Sequence, residues 1–441
     1  MRTFRAVGVS SILKAMWPSS DWEKVLPVQS VSRVSIPGFT FAHVDDLMQQ
    51  IQSKCSGKHS LYLSPDEWGK SPLASLQKNY PEGAGIKLMK RLGGIDVPYV
   101  VEGQSGKVQE LVLPSHRQQI LTFNFLHRVG LAPQLFDILE IDGGSALCVA
   151  YIVEHAPGTV PTSADANQMI NALKELVAAK HLQLLNWHGF EGRDFRIPDC
   201  NNNLLLNKKG VGVYVDVQNF KLLNYDKHLL ETARNAEKFS HFGKSSYLLG
   251  GSYLYQSIPG VSLPAKRDPA HRMRTLLSML KSSGVNLKDR VVLDIGCNLG
   301  LMGAQYLKQG ALWFHGWDFP EVIIHASHIL SSIGCTRFSL TEAQLTPQTD
   351  LLNSMPSFLH NHLNNSIISY LAIRKHAGWL AALGSFPWAY MIYEGHERED
   401  QEMSRTHIAE FQRLVPIEIL SENKVTDGTS HLRYVALLKR L

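Results

Sequence analysis

The second half of this 441-residue chain is predicted to be a doubly wound α/β sheet, and the first half a smaller α+β fold. Three observations carry that expectation. From about residue 271 apolar stretches alternate between helical and strand spacing, the pattern of helices packed on a parallel sheet. Within it, VVLDIGCNLG (291–300) runs a β-branched strand into a glycine-rich turn. Before about residue 250 the rhythm is different: two hairpins lie on either side of one long helix.

Taken in chain order, residues 1–80 have mixed polarity, with SIPGFTFAHVDDLMQQIQ as a strand-turn-helix. The next segment, 81–245, opens with KLMKRLGGIDVPYVV as its first strands, followed by the helix RQQILTFNFLHRVG. QLFDILEIDGGSALCVAYIVEHAPGT reads as two strands joined by a D-G-G turn, then an extended exit. NQMINALKELVAAKHLQLLNWHGF has apolar residues at helical spacing. DFRIPDCNNNLLLNKKGVGVYVDVQNF then gives a polar loop, a short strand, a Lys-Lys-Gly turn and a strand ending at Asp216. The Gly/Ser/Tyr-rich stretch SSYLLGGSYLYQSIPG marks a boundary, leaving 246–441 as the last domain.

In that domain AHRMRTLLSMLKSSG is a helix and RVVLDIG a strand; MGAQYLKQGA is a helix stopped by Gly310. LWFHGWD is a second strand ending at Asp318, EVIIHASHILSSIG a helix, and RFSLTEAQL a third strand. SIISYLAI, WAYMIYEG, VPIEILSE and LRYVALLKR supply four more strands.

With 44% hydrophobic and 19% charged residues, the chain has the composition of a globular protein. No apolar run approaches the ~18–20 residues that cross a bilayer. The N-terminus MRTFRAVGVSSILKAMWPSS lacks a signal-peptide core, so a cytoplasmic location is expected. Cys55, Cys148, Cys200, Cys297 and Cys335 show neither zinc-type spacing nor a disulfide framework. A net charge of +5 mildly favours anionic partners, yet no dense Lys/Arg tract with interleaved aromatics is present.

In doubly wound sheets, ligands bind beyond the carboxyl ends of the strands. Gly296, Asn298 and Gly300 stand there, and Asp318 ends the next strand, placed to accept hydrogen bonds from ribose hydroxyls. That spacing suits both NAD and S-adenosylmethionine. A pyrophosphate wants G-x-G-x-x-G, whereas here the turn reads D-x-G-x-N-x-G. The acid, Asp294, would repel a pyrophosphate but can help anchor a cationic aminoacyl end, so S-adenosylmethionine fits better.

VVLDIGCNLG, the acid in HGWD and the paired ending VPIEILSE…HLRYVALLKRL resemble the class I S-adenosylmethionine-dependent methyltransferases over about 255–441. The resemblance implies a Rossmann-like sheet, with Asp294, Gly296, Asn298 and Gly300 lining the methionine side. It implies also that Asp318 binds the ribose, that Phe319 lies beside the adenine, and that Glu342 or Ala343 lies near the adenine edge. After the fourth strand come Arg374, Lys375 and His376, and after the fifth Glu394 and His396, without the Asn/Asp-Pro-Pro-aromatic tetrad of amino methylation of DNA bases. Methyl transfer to a hydroxyl needs alignment and a base, for which His376 and Glu394 are the candidates. A phosphate acceptor would instead want Arg374 and Lys375 as cations. YQSIPG before the first helix, with Arg267, Arg272 and Arg274, resembles the lead-in of some methyltransferases that close over the cofactor; a solvated face is the alternative, favoured reading of those arginines.

The order of hairpin, hinge, long helix, polar loop and second hairpin in 81–245 resembles the protein-kinase-like fold. That resemblance places Asn203 and Asp216 as metal-binding residues for ATP and Mg²⁺. It departs elsewhere: Asp199 and Asp194 have the wrong spacing for the catalytic acid. QELVLPS, taken as the third strand, has no lysine, although Lys90 and Lys107 are nearby. An active kinase, a degenerate one that only binds, and no kinase at all stay open.

The pairing of the two halves resembles bacterial glycan kinase–methyltransferases, with their order reversed here. The expected function is O-methylation of a small molecule, glycan or phosphorylated glycan, the first half binding or phosphorylating the acceptor. The alternatives are an RNA methyltransferase and a non-catalytic regulatory protein with a pseudokinase half.

Overall fold

The computed structural model describes residues 32–36, 60–91, 99–102, 108–111, 115–142, 147–156, 162–184, 204–207, 212–215, 217, 220–240, 254–343, 346, 348–373, 379–396, 400–426 and 432–441. These form two units, the first ending at Asp226 and the second resuming at Lys227 and also taking in Leu76–Glu82.

The first unit begins with β1 (Ser32–Ser35), β2 (Ser60–Leu63), α1 (Pro65–Gly69), α2 (Ala74–Gln77), β3 (Ala84–Arg91), β4 (Tyr99–Glu102) and β5 (Val108–Leu111). It continues through α3 (His116–Arg128), β6 (Leu135–Asp142), β7 (Leu147–Glu154), α4 (Ser163–Ala178), β8 (Leu182–Leu184), β9 (Leu204–Leu206), β10 (Gly212–Tyr214) and β11 (Phe220–Leu222). Helix α5 (Tyr225–Ser240) starts at the boundary and belongs to the second unit from Lys227 on. Five strands make one sheet in the order β1-β6-β7-β3-β2, with β1 parallel to β6 and the other pairs antiparallel.

Ser115 caps α3 by accepting from the Gln118 amide, and the helix is buried from Gln118 to Leu126. Its Thr122 hydroxyl accepts the Leu222 amide of β11 at 3.1 Å. Two expectations are corrected here. The long helix ends at Ala178: Lys180 takes a left-handed φ of 57°, and β8 then pairs antiparallel with β11. QELVLPS contributes β5, which pairs with β4 in a separate hairpin, so β7's neighbour is β3, and β3 carries a buried lysine, Lys87.

The second unit holds β12 (Leu254–Gln256), β13 (Ala265–Arg267), α6 (Pro269–Ser282), β14 (Val291–Ile295), α7 (Leu301–Lys308), β15 (Trp313–Asp318), α8 (Pro320–Ser332) and β16 (Phe338–Glu342). After these come α9 (Leu351–Ser354), a 3-10 helix (Ser357–Asn365), β17 (Ile367–Leu371), α10 (Trp379–Gly384), β18 (Tyr390–Glu394), α11 (Gln401–Leu414), β19 (Ile417–Val425) and β20 (Arg433–Arg440). Seven strands form one sheet in the order β16-β15-β14-β17-β18-β20-β19. The first five are parallel; β20 runs antiparallel to β18 and to β19.

The hydrophobic run at β14 explains its central place. All five residues are buried, as a strand covered on both faces requires. Tyr370 of β17 and Tyr393 of β18 are register partners whose rings stack at 5.8 Å. Strand order reverses beside β14, where β15 and β17 flank it, and the carboxyl ends there are where such a sheet presents a ligand crevice. Among the described residues no helix is long and apolar enough to cross a membrane.

Candidate functional site

The glycine turn is built by backbone geometry before any side chain acts. Gly296, Asn298 and Gly300 have φ of 70°, 52° and 72°, so three of five consecutive residues are left-handed. At Gly300 an added Cβ would lie 2.7 Å from Leu330 Cδ1 of α8, so glycine is required by packing as well as by φ. The Gly296 and Cys297 amides both donate to the Trp317 carbonyl at 2.9 and 3.0 Å, clamping the turn to the end of β15.

Asp318, at the end of β15, reaches back to the turn. Its Oδ2 accepts the Asn298 amide at 2.7 Å and its Oδ1 the Phe319 amide at 2.8 Å. Burial raises its pKa, against the lowering effect of those two amides. Glu342 is Asp318's register partner on β16 and is exposed, while the Ala343 amide donates to the Asp318 carbonyl at 2.9 Å. Phe319 starts α8 half-buried. The predicted residues Asp318, Phe319, Glu342 and Ala343 are thus gathered at one strand end.

Asp294 lies deeper, only 3% exposed. Burial pushes its carboxyl up to about 7, with a Ser369 hydrogen bond and the Arg272 charge pulling down and Asp318 pushing up. The Cys297 thiol is raised well above its usual range, first by burial and then by Asp318 and Asp294, so it is no thiolate nucleophile.

Glu394 is fully buried at the end of β18. Its Oε1 accepts Arg433 Nε at 2.5 Å and faces Arg272 Nη2 at 3.3 Å. Oε2 is buried with no hydrogen-bond partner among the described residues. Enclosed in this way, Glu394 cannot be reached by an acceptor hydroxyl, which sets it apart from the base expected of it. Arg272 departs from the expected solvated face: at 6% exposure it points inward from α6, while Arg274 is exposed. Sequence reading missed Arg433, Ser369 and Tyr306; no motif marks them, since they meet only through the fold.

His376 and Arg374 lie outside the described residues. The chain leading to them is placed: Ile373 Cδ1 would stand 3.5 Å from a Cβ on Gly296, so the exit of β17 passes beside the turn. His396 is half-buried after β18.

In the first unit, Asn203 and Asp216 also lie outside the described residues. Lys87 faces Tyr62 and Tyr151 across β3's two neighbours. The Tyr151 hydroxyl donates to Gln119 Oε1 of α3 at 2.6 Å. No group of three metal-ligating side chains occurs among the described residues.

No protein-family model and no curated protein matches this chain. Three solved structures are similar to part of it. Magnesium protoporphyrin IX methyltransferase from Synechocystis, with bound SAH, is 13% identical over 39% of this chain and 84% of its own, at TM-score 0.29. A SAM-dependent methyltransferase from Aquifex aeolicus is 14% identical over 40% of this chain and 100% of its own, at TM-score 0.27. A structure described as an S-adenosylmethionine-dependent methyltransferase from Listeria monocytogenes is 12% identical over 39% and 99%, at TM-score 0.28. At that level of likeness, a functional reading rests on the chain's own residues.

Proposed function

We propose that the second unit is an S-adenosylmethionine-dependent methyltransferase that methylates oxygen on a small molecule, glycan or phosphorylated glycan. The observation that carries the reading is the junction of β14 and β15, where Asp318 clasps the left-handed turn through the Asn298 amide. The donor set fits this cofactor. Asp294 and Asp318 flank the turn, Glu342 is beside Asp318, and 291–301 contains no lysine or arginine to balance a pyrophosphate. Two carboxylates suit hydroxyls and a cationic methionyl end instead.

In this reading Gly296, Asn298 and Gly300 make room for the methionyl end, and Asp294 supplies its negative partner. Asp318 accepts from the ribose hydroxyls, with Phe319, Glu342 and Ala343 around the adenine. The bound cofactor supplies a methyl group on a positively charged sulfur. His376, reached from the exit of β17, takes the acceptor's proton when the acceptor is a hydroxyl. Arg374 steadies a phosphorylated acceptor. The first unit, on this proposal, is a kinase-like domain that holds the acceptor. What supports it is the five-stranded sheet with α3 between β3 and β6, and Lys87, Tyr151 and Gln119 on its helix-facing side. Asn203 and Asp216 would hold Mg²⁺ if it also uses ATP.

The test is methyl transfer from labelled S-adenosylmethionine to fractionated extract, with and without ATP–Mg²⁺. Label in the glycan or small-molecule fraction supports the reading, and label confined to RNA replaces it with an RNA methyltransferase. Label that requires ATP and is lost in Asp216→Ala assigns phosphorylation to the first unit. A protein that binds the cofactor but labels no fraction is a sensor, and the methyltransferase reading falls.

A further inference from the structure

Six polar side chains from six elements meet beneath the glycine turn. Asp294 is the penultimate residue of β14, and Ser369, its register partner on β17, hydrogen-bonds to its carboxyl. Tyr306 of α7 donates to Ser369 Oγ at 3.1 Å. Arg272 of α6 acts on Asp294 through its charge and stands 3.3 Å from Glu394 Oε1 of β18. Arg433 of β20 closes the cluster on the same oxygen. All six are buried.

A buried ion cluster is weak evidence for stability, because hydrophobic residues of similar volume often serve as well. Its placement suggests another use. The two guanidiniums are offset by Glu394 alone unless Asp294 is also ionised, so the fourth charge of the cluster sits directly under the turn. A cationic group arriving on the turn favours the ionised carboxylate; a protonated Asp294 leaves the cluster with one surplus positive charge facing that cation.

We propose that Arg272 is a positioning residue for the cofactor: anchored on Glu394, it holds Asp294 as the anionic partner of the cofactor's cationic methionyl end, so that binding releases a proton. This rests on the methyltransferase reading above. The groups that face Asp294 are Arg272 from α6, Tyr306 from α7, Asp318 from β15, Ser369 from β17 and, within the turn, Cys297, with Glu394 acting through Arg272. The carboxyl's position near 7 places the proton release within an accessible range.

The experiment is calorimetric titration of the full chain with S-adenosylmethionine between pH 5.5 and 8.5, in two buffers of unlike ionisation enthalpy. The native chain should release up to one proton below neutrality, with affinity falling up to about tenfold per pH unit on the acid side. Arg272→Met should move the midpoint of that profile upward, Arg272→Lys should restore it in part, and Asp294→Asn should abolish proton release. The ligand's own titration is common to all variants. Should Arg272→Met fail to fold, Glu394→Gln, which leaves Asp294 as the carboxylate that offsets the two guanidiniums, should move the midpoint downward. An unchanged midpoint and unchanged proton release in the folded variants overturn the positioning role while leaving the methyltransferase reading intact. Absence of cofactor binding at every pH overturns the reading itself.

Discussion

Replacing Asp294 by asparagine tests whether that carboxyl is a buried acid near neutrality or an ordinary surface carboxylate. In the unfolded chain it titrates near 3.8, and in the folded chain near 7, because burial outweighs Ser369 and Arg272. A raised folded value means that the folded state binds the proton more tightly. Its contribution to stability is therefore full below the unfolded value and is lost as pH rises through about 7. At pH 5 about two pKa units of that preference remain, worth roughly 2–3 kcal/mol, and at pH 8 almost none remains. Asparagine carries no titration, so the stability of Asp294→Asn relative to the native chain should rise by roughly 2–3 kcal/mol between pH 5 and pH 8. Urea unfolding followed by tryptophan fluorescence measures this, since Trp313 and Trp317 are buried in the neighbouring β15. All other titrating groups are shared and cancel in the difference. A difference that stays constant across that range would refute the assignment of a buried, perturbed Asp294.

The remaining predictions concern the turn, the ion cluster and the chemistry. Gly300→Ala should lose about 1–3 kcal/mol from left-handed strain alone, with more from Leu330, read as a lower melting temperature. Glu394→Ala should cost roughly 3–5 kcal/mol by leaving two buried guanidiniums uncompensated, seen in the same unfolding assay, with Glu394→Gln milder. Asp318→Ala should abolish cofactor binding by calorimetry; an unchanged affinity would remove Asp318 from the site. His376→Ala should lower methyl transfer at least tenfold with cofactor affinity held within a few-fold, and undiminished turnover would place the base elsewhere or mean that none is needed.

The second unit was legible because local signals and tertiary demand agree there. Each segment of 271–441 read as a strand became a strand of the seven-stranded sheet, and Gly310 and Gly334, both left-handed, end α7 and α8 as helix-stopping glycines do. The first unit was less so. LQLLNWHGF continues the helical spacing of α4, and only the partner strand β11, some 40 residues on, draws Leu182–Leu184 into a sheet. QELVLPS and KLMKRL read alike as short strands, and which of them joins β7 is decided by pairing rather than by composition.

At the site, the legible residues are those joined by backbone geometry. Asp318 and the turn are some 20 residues apart in sequence, yet one βα unit brings them together, so spacing alone foretells the contact. The ion cluster is of the other kind. Arg272 shares a helix with the exposed Arg274, two residues on, and a helical turn of ~3.6 residues puts positions two apart on different faces. Which of them is buried depends on where Glu394 stands, and Glu394 lies 122 residues away on a strand that reads as an ordinary one. The arginine that points inward therefore needs a carboxylate already waiting there. Only the strand order, which brings the ends of β14, β17, β18 and β20 side by side, supplies it.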